Sequence, residues 1–346
     1  MLASPRSTAA CSVEQLVSLA LDDAGLPQLQ EVRALAGGAN HRALALTLVD
    51  GQRLFAKVCL PSDVDQRQRL AVEHLALRLM WQAGERAIPE PLGYLDERCL
   101  LCRFVEGRPA LARRATADQV AQLVAFIDRL HRLGLETARA AAPLASDAAL
   151  SLRQARTAIE RRLARLAAVE STALGRFLEQ RFRPALAQFA EALSADVLDR
   201  AGLVVLSPSD FGFHNALVGA DGARLIFVDF EYFGWDDAGK LIADTLLHPQ
   251  HRELSLPLRR QLRDGMLAVY RERDPALWQR VRCGYALHAL KWCLIVLKIY
   301  LPEHQQRMCN ASALDGDLAE RCAERLSAAE QIVEQLLDRG SLLDDC

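Results

Sequence analysis

Leu206-Ser-Pro-Ser-Asp210-Phe-Gly-Phe-His-Asn215-Ala-Leu-Val-Gly-Ala-Asp221-Gly222-Ala-Arg-Leu-Ile-Phe-Val-Asp229-Phe230-Glu231 is a short β island in an otherwise helix-rich half of the chain. An Asp-Gly pair between two apolar runs signals a β-hairpin. With Asp221-Gly222 as a two-residue turn, Ala220 faces Ala223, and Asn215 then faces Val228, next to Asp229. An amide oxygen and a carboxylate thus meet at the open end of the hairpin, with Asp210 in the loop that leads in. Two hard oxygen ligands on a rigid hairpin suit Mg²⁺, which completes its shell with water and phosphate oxygens. A further carboxylate nearby can accept the hydrogen bond of an attacking hydroxyl and aim it at a phosphoryl group.

Working outward, the 346 residues suffice for two compact units or one large bilobal one. A hydrophobic share of 51% and a charged share of 25% exclude disorder and fibrous repeats. The formal net charge of -2 gives no reason to expect a nucleic acid or a polybasic membrane contact. Nine scattered cysteines, an odd number, read as free thiols of a reducing compartment rather than a disulfide scaffold. Cys99 and Cys102 have metal-like spacing, but no second pair accompanies them and their apolar neighbours read as a buried strand. No secretory h-region is visible near the start, and the apolar stretch 285–301 is interrupted by His288, Lys291 and Lys298, which makes it a core helix. A cytoplasmic protein with no membrane partner is expected.

Ser12 followed by Gln15 is a capping box opening a first helix. Segments 42–49 and 53–60 flank Asp50-Gly51 and read as a hairpin, followed by a helix over 65–83 and a strand over 98–105. From Thr116 on, helical periods run over 116–133, 146–169, 171–195, 254–272, 276–300 and 315–338, broken only by the β island at 203–230. The fold class is therefore α+β, with a change of character at Glu106-Gly107-Arg108-Pro109 that reads as a hinge between lobes.

The spacing Asp-x-x-x-x-Asn, then strand, then Asp-Phe, resembles the catalytic loop and metal-binding aspartate of the protein-kinase-like superfamily, in particular its aminoglycoside phosphotransferase and choline kinase branch. The resemblance spans about residues 30–250. It implies a bilobal kinase-like fold, with a small β-sheet nucleotide-binding lobe over 1–103 and a large, mostly helical lobe over 104–346. It also implies ATP with Mg²⁺ and a small-molecule hydroxyl acceptor such as a sugar, amino sugar or amino alcohol.

Residue by residue, the resemblance makes Asp210 the catalytic aspartate and Asn215 and Asp229 the metal ligands. Lys57, in Leu54-Phe55-Ala56-Lys57, becomes the phosphate-contacting lysine, and Glu73 its partner in the following helix. A carboxylate there fixes an ammonium that would otherwise wander among rotamers. Gly37, Gly38 and Asn40 belong to a phosphate-covering turn, and the backbone around Arg103 and Phe104 to a hinge that reads the adenine edge. Asp244 is expected to bond the catalytic-loop backbone, and Glu231, Tyr232, Trp235, Asp236 and Asp237 to border the acceptor pocket.

Two departures stand out. Pro208 occupies the place of the family's histidine, which suggests as an alternative a nucleotide-binding pseudokinase acting through a protein partner. Glu231 replaces the glycine of Asp-Phe-Gly, and no long activation segment follows, which argues against a protein kinase. Arg153, Arg156, Arg161, Arg162 and Arg165 form a basic stripe read as a solvated face, although a phosphorylated or acidic sugar would suit it.

Overall fold

The computed structural model describes residues 12–35, 41–59, 68–310 and 317–339. Helix α1 (Val13–Asp23) begins with both halves of the capping box closed: Gln15 N–H donates to Ser12 Oγ, and Ser12 N–H to the Gln15 side chain. Strands β1 (Leu29–Ala34), β2 (Arg42–Leu48), β3 (Arg53–Val58), β4 (Pro91–Leu95) and β5 (Cys99–Arg103) form one antiparallel sheet in the order β1-β2-β3-β5-β4. The β2–β3 turn sits at Asp50-Gly51, where Gly51 takes φ +83° and the Asp50 carboxylate accepts from Gln52 N–H. Helix α2 (Arg69–Gln82) connects β3 to β4.

Strand alternation divides the small lobe into two faces. Leu54, Ala56 and Val58 of β3 and Cys99 and Leu101 of β5 pack under Leu16, Val17, Ala20 and Leu21 of α1. The other face carries Leu100 and Cys102 of β5 into the main core, with Phe55 of β3 against it. Lys57, between Ala56 and Val58, therefore points to the α2 side. Cys99 and Cys102 lie on opposite faces and cannot share a metal; both are buried thiols, and burial pushes the Cys99 pKa up to about 12.

The large lobe begins at β6 (Gly107–Pro109) and α3 (Ala117–Glu136) and continues with α4 (Leu152–Ala167), α5 (Thr172–Phe177), α6 (Arg183–Glu191) and α7 (Ala195–Asp199). Strands β7 (Val204–Ser207), β8 (Ala216–Gly219), β9 (Leu225–Phe227) and β10 (Gly234–Asp237) follow, then α8 (Ala238–Leu247), α9 (Leu256–Tyr270), α10 (Leu277–Val296), α11 (Pro302–Asn310) and α12 (Leu318–Arg339). The strands make two small sheets, β6-β8-β9 and β10-β7. Strands β6 and β10, three and four residues long, are too short to show a sequence period. The single helix expected over 171–195 is α5 and α6 joined by a π-helical turn at Leu178–Phe182.

The β8–β9 hairpin has the expected register: Ala216 pairs with Phe227, Leu217 with Ile226, Val218 with Leu225. Its turn is wider than two residues. Gly219 N–H donates to the Arg224 carbonyl, and the Asp221 carboxylate accepts from the N–H groups of Ala223 and Arg224, so a side chain replaces the missing backbone pair. Gly107 is required beside it, because a Cβ there would stand 2.6 Å from the Val218 carbonyl oxygen.

Leu277–Tyr300 is long and apolar enough to cross a membrane by length and composition, but 67% of its apolar window is buried inside the protein, as a core helix requires. It carries His288, fully enclosed, with a pKa pushed down to about 3 chiefly by burial. His251, before α9, is held down to about 4 for the same reason. Both are depressed below the value of 6.5 that the unfolded chain has, so their stabilisation is complete above pH 6.5 and is lost as pH falls toward 4. Glu73, raised to about 7, works in the opposite sense over the same range, so the test is made by variant: the loss of stability to denaturant from pH 7 to pH 4.5 should be about 2–3 kcal/mol smaller in His288→Asn than in wild type, since each tenfold change in the ring's proton affinity is worth about 1.4 kcal/mol; an equal loss in both would contradict the burial of a neutral ring.

Candidate active site

Glu73 sits on the buried stripe of α2 formed by Leu70, Ala76, Leu77 and Met80, a carboxylate on an apolar face. It meets Lys57 there: Lys57 Nζ donates to Glu73 Oε2 at 2.6 Å and to Asp229 Oδ1 at 2.6 Å. The ammonium is almost enclosed, with 14% of its side chain exposed. Burial opposes its charge, but the two carboxylates outweigh that and hold its pKa above the ordinary lysine value. Burial, reinforced by Asp229, pushes Glu73 up to about 7 even with Lys57 in contact. Asp229, two residues past β9, has φ +68°, a strained left-handed conformation, and its carboxylate meets Lys57.

The loop that carries Asp210 is fixed on several sides. Ser209 takes φ +65°, and its N–H donates to Ser207 Oγ at 3.0 Å. Asn215 Nδ2 donates to the Asp210 carbonyl at 2.8 Å, and His214 Nε2 donates to Asp210 Oδ1 at 3.0 Å. Phe213 N–H donates to His251 Nε2 at 3.2 Å, so His251 keeps its proton on Nδ1 and gives it to the Thr245 carbonyl. The His214 ring stacks on His248 with centroids 3.6 Å apart. Below the loop, Phe211, Phe227 and Phe230 pack on Phe126 of α3, with centroids 4.5–6.0 Å from it.

Burial opposes ionisation of Asp210, but the His214 hydrogen bond, with His248 and Lys298 nearby, outweighs it and holds the carboxyl below its ordinary value. Such a group accepts a hydrogen bond from a hydroxyl and orients it without removing the proton beforehand. Asp210 opens onto a cavity of about 340 Å³ lined also by Arg69, Tyr232, Lys240, Lys291 and Lys298.

The residues present fit a hard divalent cation. The Asn215 amide nitrogen is committed to the Asp210 carbonyl, which turns its oxygen the other way. The Asp229 side chain is 40% exposed, and one of its oxygens serves Lys57. The Val228 N–H donates to the Asn215 carbonyl at 2.9 Å, locking the two segments side by side. An amide oxygen and a carboxylate oxygen of this kind are a Mg²⁺ donor set.

Other expectations divide. Gly37, Gly38 and Asn40 lie outside the described residues. The N–H groups of Arg103 and Phe104 are taken by the Glu90 and Arg53 carbonyls, while the Arg103 side chain pairs with Glu90; these N–H groups are not free to face an adenine. Asp244 does not hold the catalytic loop: it binds Lys291 Nζ through both oxygens at 2.6 Å and the Trp292 indole at 3.1 Å, and the loop is held by His251 instead. Tyr232 reaches the cavity. Glu231 turns toward His41 and Arg69, and Trp235 donates to the Arg139 carbonyl. Asp236 is buried against Lys240, and Asp237 caps α8. In the arginine stripe, Arg153 and Arg156 make surface pairs with Asp199 and Glu160, but Arg162 and Arg165 line the cavity. Spacing rules do not single out His214, His248 and His251 as loop supports; the signal for them is a histidine four residues after Asp210 and two more flanking the end of α8.

A sheet lobe and a helical lobe that share a lysine–carboxylate cluster beside a hairpin loop define a kinase-like phosphotransferase. The chain belongs to the phosphotransferase enzyme family (APH), whose description matches residues 31–283, and it is a small-molecule kinase. Among solved structures it is similar to choline kinase LicA from Streptococcus pneumoniae (13% identity, TM-score 0.58, covering 93% of this chain and 99% of that one). It is also similar to a spectinomycin phosphotransferase in complex with ADP and spectinomycin (11%, 0.57, 92% and 98%) and to macrolide 2'-phosphotransferase MphH from Brachybacterium faecium (17%, 0.54, 88% and 100%). At these identities the likeness is one of fold. No curated protein matches the sequence.

Gly212 offers a direct check on the loop. It has φ +152°, and a Cβ there would lie 2.1 Å from the His251 ring. Gly212→Ala should cost about 1–3 kcal/mol in denaturant unfolding, as overpacking does. Gly175→Ala, inside α5 with nothing within 4 Å of the added Cβ, serves as the control and should stabilise by up to about 1 kcal/mol. Equal midpoints for the two variants would show that His251 does not brace the loop.

Proposed function

We propose that this enzyme transfers the γ-phosphoryl group of ATP, in the presence of Mg²⁺, to a hydroxyl of a small metabolite of the sugar, amino sugar or amino alcohol kind. The observation that carries the reading is the meeting of Lys57, Glu73 and Asp229 from three distant segments, beside Asn215 and Asp210. The acceptor hydroxyl donates to the Asp210 carboxylate. Its oxygen then forms a bond to the γ-phosphorus as the bond to the ADP oxygen breaks, and the proton passes to Asp210. His214 keeps the carboxylate oriented, with its own hydrogen bond in the position of support that Pro208 cannot supply.

Lys57 contributes a fixed positive charge for the phosphate oxygens, steadied by Glu73. Asn215 and Asp229 would hold Mg²⁺, which when bound supplies neutralisation of phosphate charge. Support for ATP comes also from the ADP bound to the spectinomycin phosphotransferase of similar fold.

Asp210→Asn should lower kcat by roughly 100- to 10,000-fold, the range for removing a general base, with MgATP affinity by calorimetry within about 3-fold of wild type, a difference below 1 kcal/mol. Undiminished turnover would remove Asp210 from its role. Glu73→Gln should raise the KM for ATP with a smaller effect on kcat, since it frees the Lys57 ammonium without touching the acceptor. An unchanged KM for ATP would show that the pair is only structural.

A further inference from the structure

The cavity beside Asp210 differs in charge from what a cationic acceptor needs. Six lysines and arginines line it, Arg69, Arg162, Arg165, Lys240, Lys291 and Lys298, against three carboxylates, Asp147, Asp210 and Asp244. Two of those carboxylates are already committed to cations of the protein. Asp147 Oδ2 holds Arg162 at 2.8 Å, and Asp244 holds Lys291 at 2.6 Å and Lys240 at 3.2 Å. Burial opposes the Asp244 charge, but Lys291 and Lys240 outweigh it and hold its pKa far below the usual carboxylate range. Lys240 is further bound to Asp236, which is fully buried behind it. An ammonium-bearing acceptor would find Asp210, whose task is the hydroxyl, as the lining carboxylate with no lysine or arginine bonded to it among the described residues, whereas the cations, though paired with Asp147, Asp236, Asp244, Glu303 and Glu231, keep N–H donors to offer.

An anion meets the opposite situation. Arg162 and Arg165 stand one helical turn apart on the face of α4 that borders the cavity. Each guanidinium has five N–H donors; among the described residues Arg162 is paired with Asp147 and also donates to the Ala158 carbonyl, and Arg165 is paired with Glu303, which leaves N–H groups on both for a ligand. Lys298, in the 3-10 turn Leu297–Tyr300 that follows α10, lines the same cavity and lies close enough for its charge to be felt at Asp210. Planar guanidinium forks and an ammonium lining one cavity suit phosphate or carboxylate oxygens. Trp292, Leu294 and Leu301 supply apolar walls for a carbon skeleton, and about 340 Å³ lies at the small end of ligand sites, the scale of one sugar ring.

We infer that the acceptor is a small hydroxylated metabolite that itself carries an anionic group, a phosphate monoester or a carboxylate, bound by Arg162, Arg165 and Lys298 in the cavity where Asp210 receives its hydroxyl. This rests on the phosphoryl transfer proposed above and narrows its acceptor.

The test uses the full chain with MgATP and sets of compounds that share a skeleton and differ in charge: glucose, glucosamine, gluconate and glucose 6-phosphate; ribose and ribose 5-phosphate; glycerol, 3-aminopropane-1,2-diol and glycerate; and, outside these sets, one aminoglycoside. The expected result is a kcat/KM at least about 10-fold higher for the anionic members, with the phosphate and carboxylate arms showing which group is preferred; a factor of ten is about 1.4 kcal/mol, within reach of one charge-assisted hydrogen bond. Lys298→Gln and Arg165→Gln should each raise the KM for the anionic acceptor by about 10-fold and collapse the anion-to-neutral ratio, and Lys298→Arg should restore most of it. Equal or better turnover of neutral or cationic members, or an unaltered ratio in both glutamine variants, overturns the inference while leaving phosphoryl transfer intact. If no compound of any charge consumes ATP, the transfer reaction itself fails. Calorimetric titration of Asp210→Asn with glucose 6-phosphate and gluconate then decides the pocket separately: saturable binding lost in a Lys298→Gln background supports the anion site, and no binding overturns it.

Discussion

One buried cation holds this molecule in the form that matters. The Lys57 ammonium comes from the middle of a small sheet, Glu73 from the next helix, and Asp229 from a strand end 172 residues further along, and all three meet within hydrogen-bonding distance. A lysine enclosed to this degree is tolerable only when paired, and removing one partner of such a pair typically costs about 3–5 kcal/mol. The cluster therefore ties the lobes together across the cleft. It also presents a cation and a half-exposed carboxylate to whatever enters.

The large lobe is organised to keep Asp229 and Asp210 in place for that meeting. The β8–β9 hairpin fixes their separation, β6 pins the hairpin to the segment between the lobes, and the phenylalanine cluster on α3 seats it from below. Above it, His251 holds the loop backbone and His214 the Asp210 carboxylate. A neutral buried histidine such as His251 does this well, because it has one donor and one acceptor and burial keeps the second proton off. Of the five described non-glycine residues with positive φ, two, Ser209 and Asp229, lie beside and within the site, where the surrounding bonds over-determine the backbone.

Most of this is legible in the sequence because it depends on local rules. The Asp221-Gly222 signal sets a register that survives even though Asp221 widens the turn, since the alternation of Ala216, Val218, Leu225 and Phe227 leaves no other way to bury the hairpin. Lys57 and Glu73 are legible through the resemblance, which their order and their spacing of 16 residues carry. What stays hidden are partners decided by tertiary placement. Asp244 reads as a loop support in the sequence, but Lys291, 47 residues on, claims both of its oxygens. The arginine stripe is uniform in sequence, yet rotation about α4 sends Arg162 and Arg165 to the cavity and Arg153 and Arg156 to the surface. The Arg103 and Phe104 N–H groups belong to hydrogen bonds that no spacing rule assigns.

If the shared cation cluster is the physical centre of the enzyme, Asp229 must exchange part of its hold on Lys57 for a metal that arrives with the nucleotide. Calorimetric titration of ADP with Mg²⁺ and with EDTA, in wild type and in Asp229→Ala, tests this most directly. Magnesium should tighten ADP binding to the wild type by about 10-fold or more, as expected for a carboxylate-held cation on phosphate oxygens, and the variant should bind equally with and without it. The same magnesium dependence in both proteins would contradict the account.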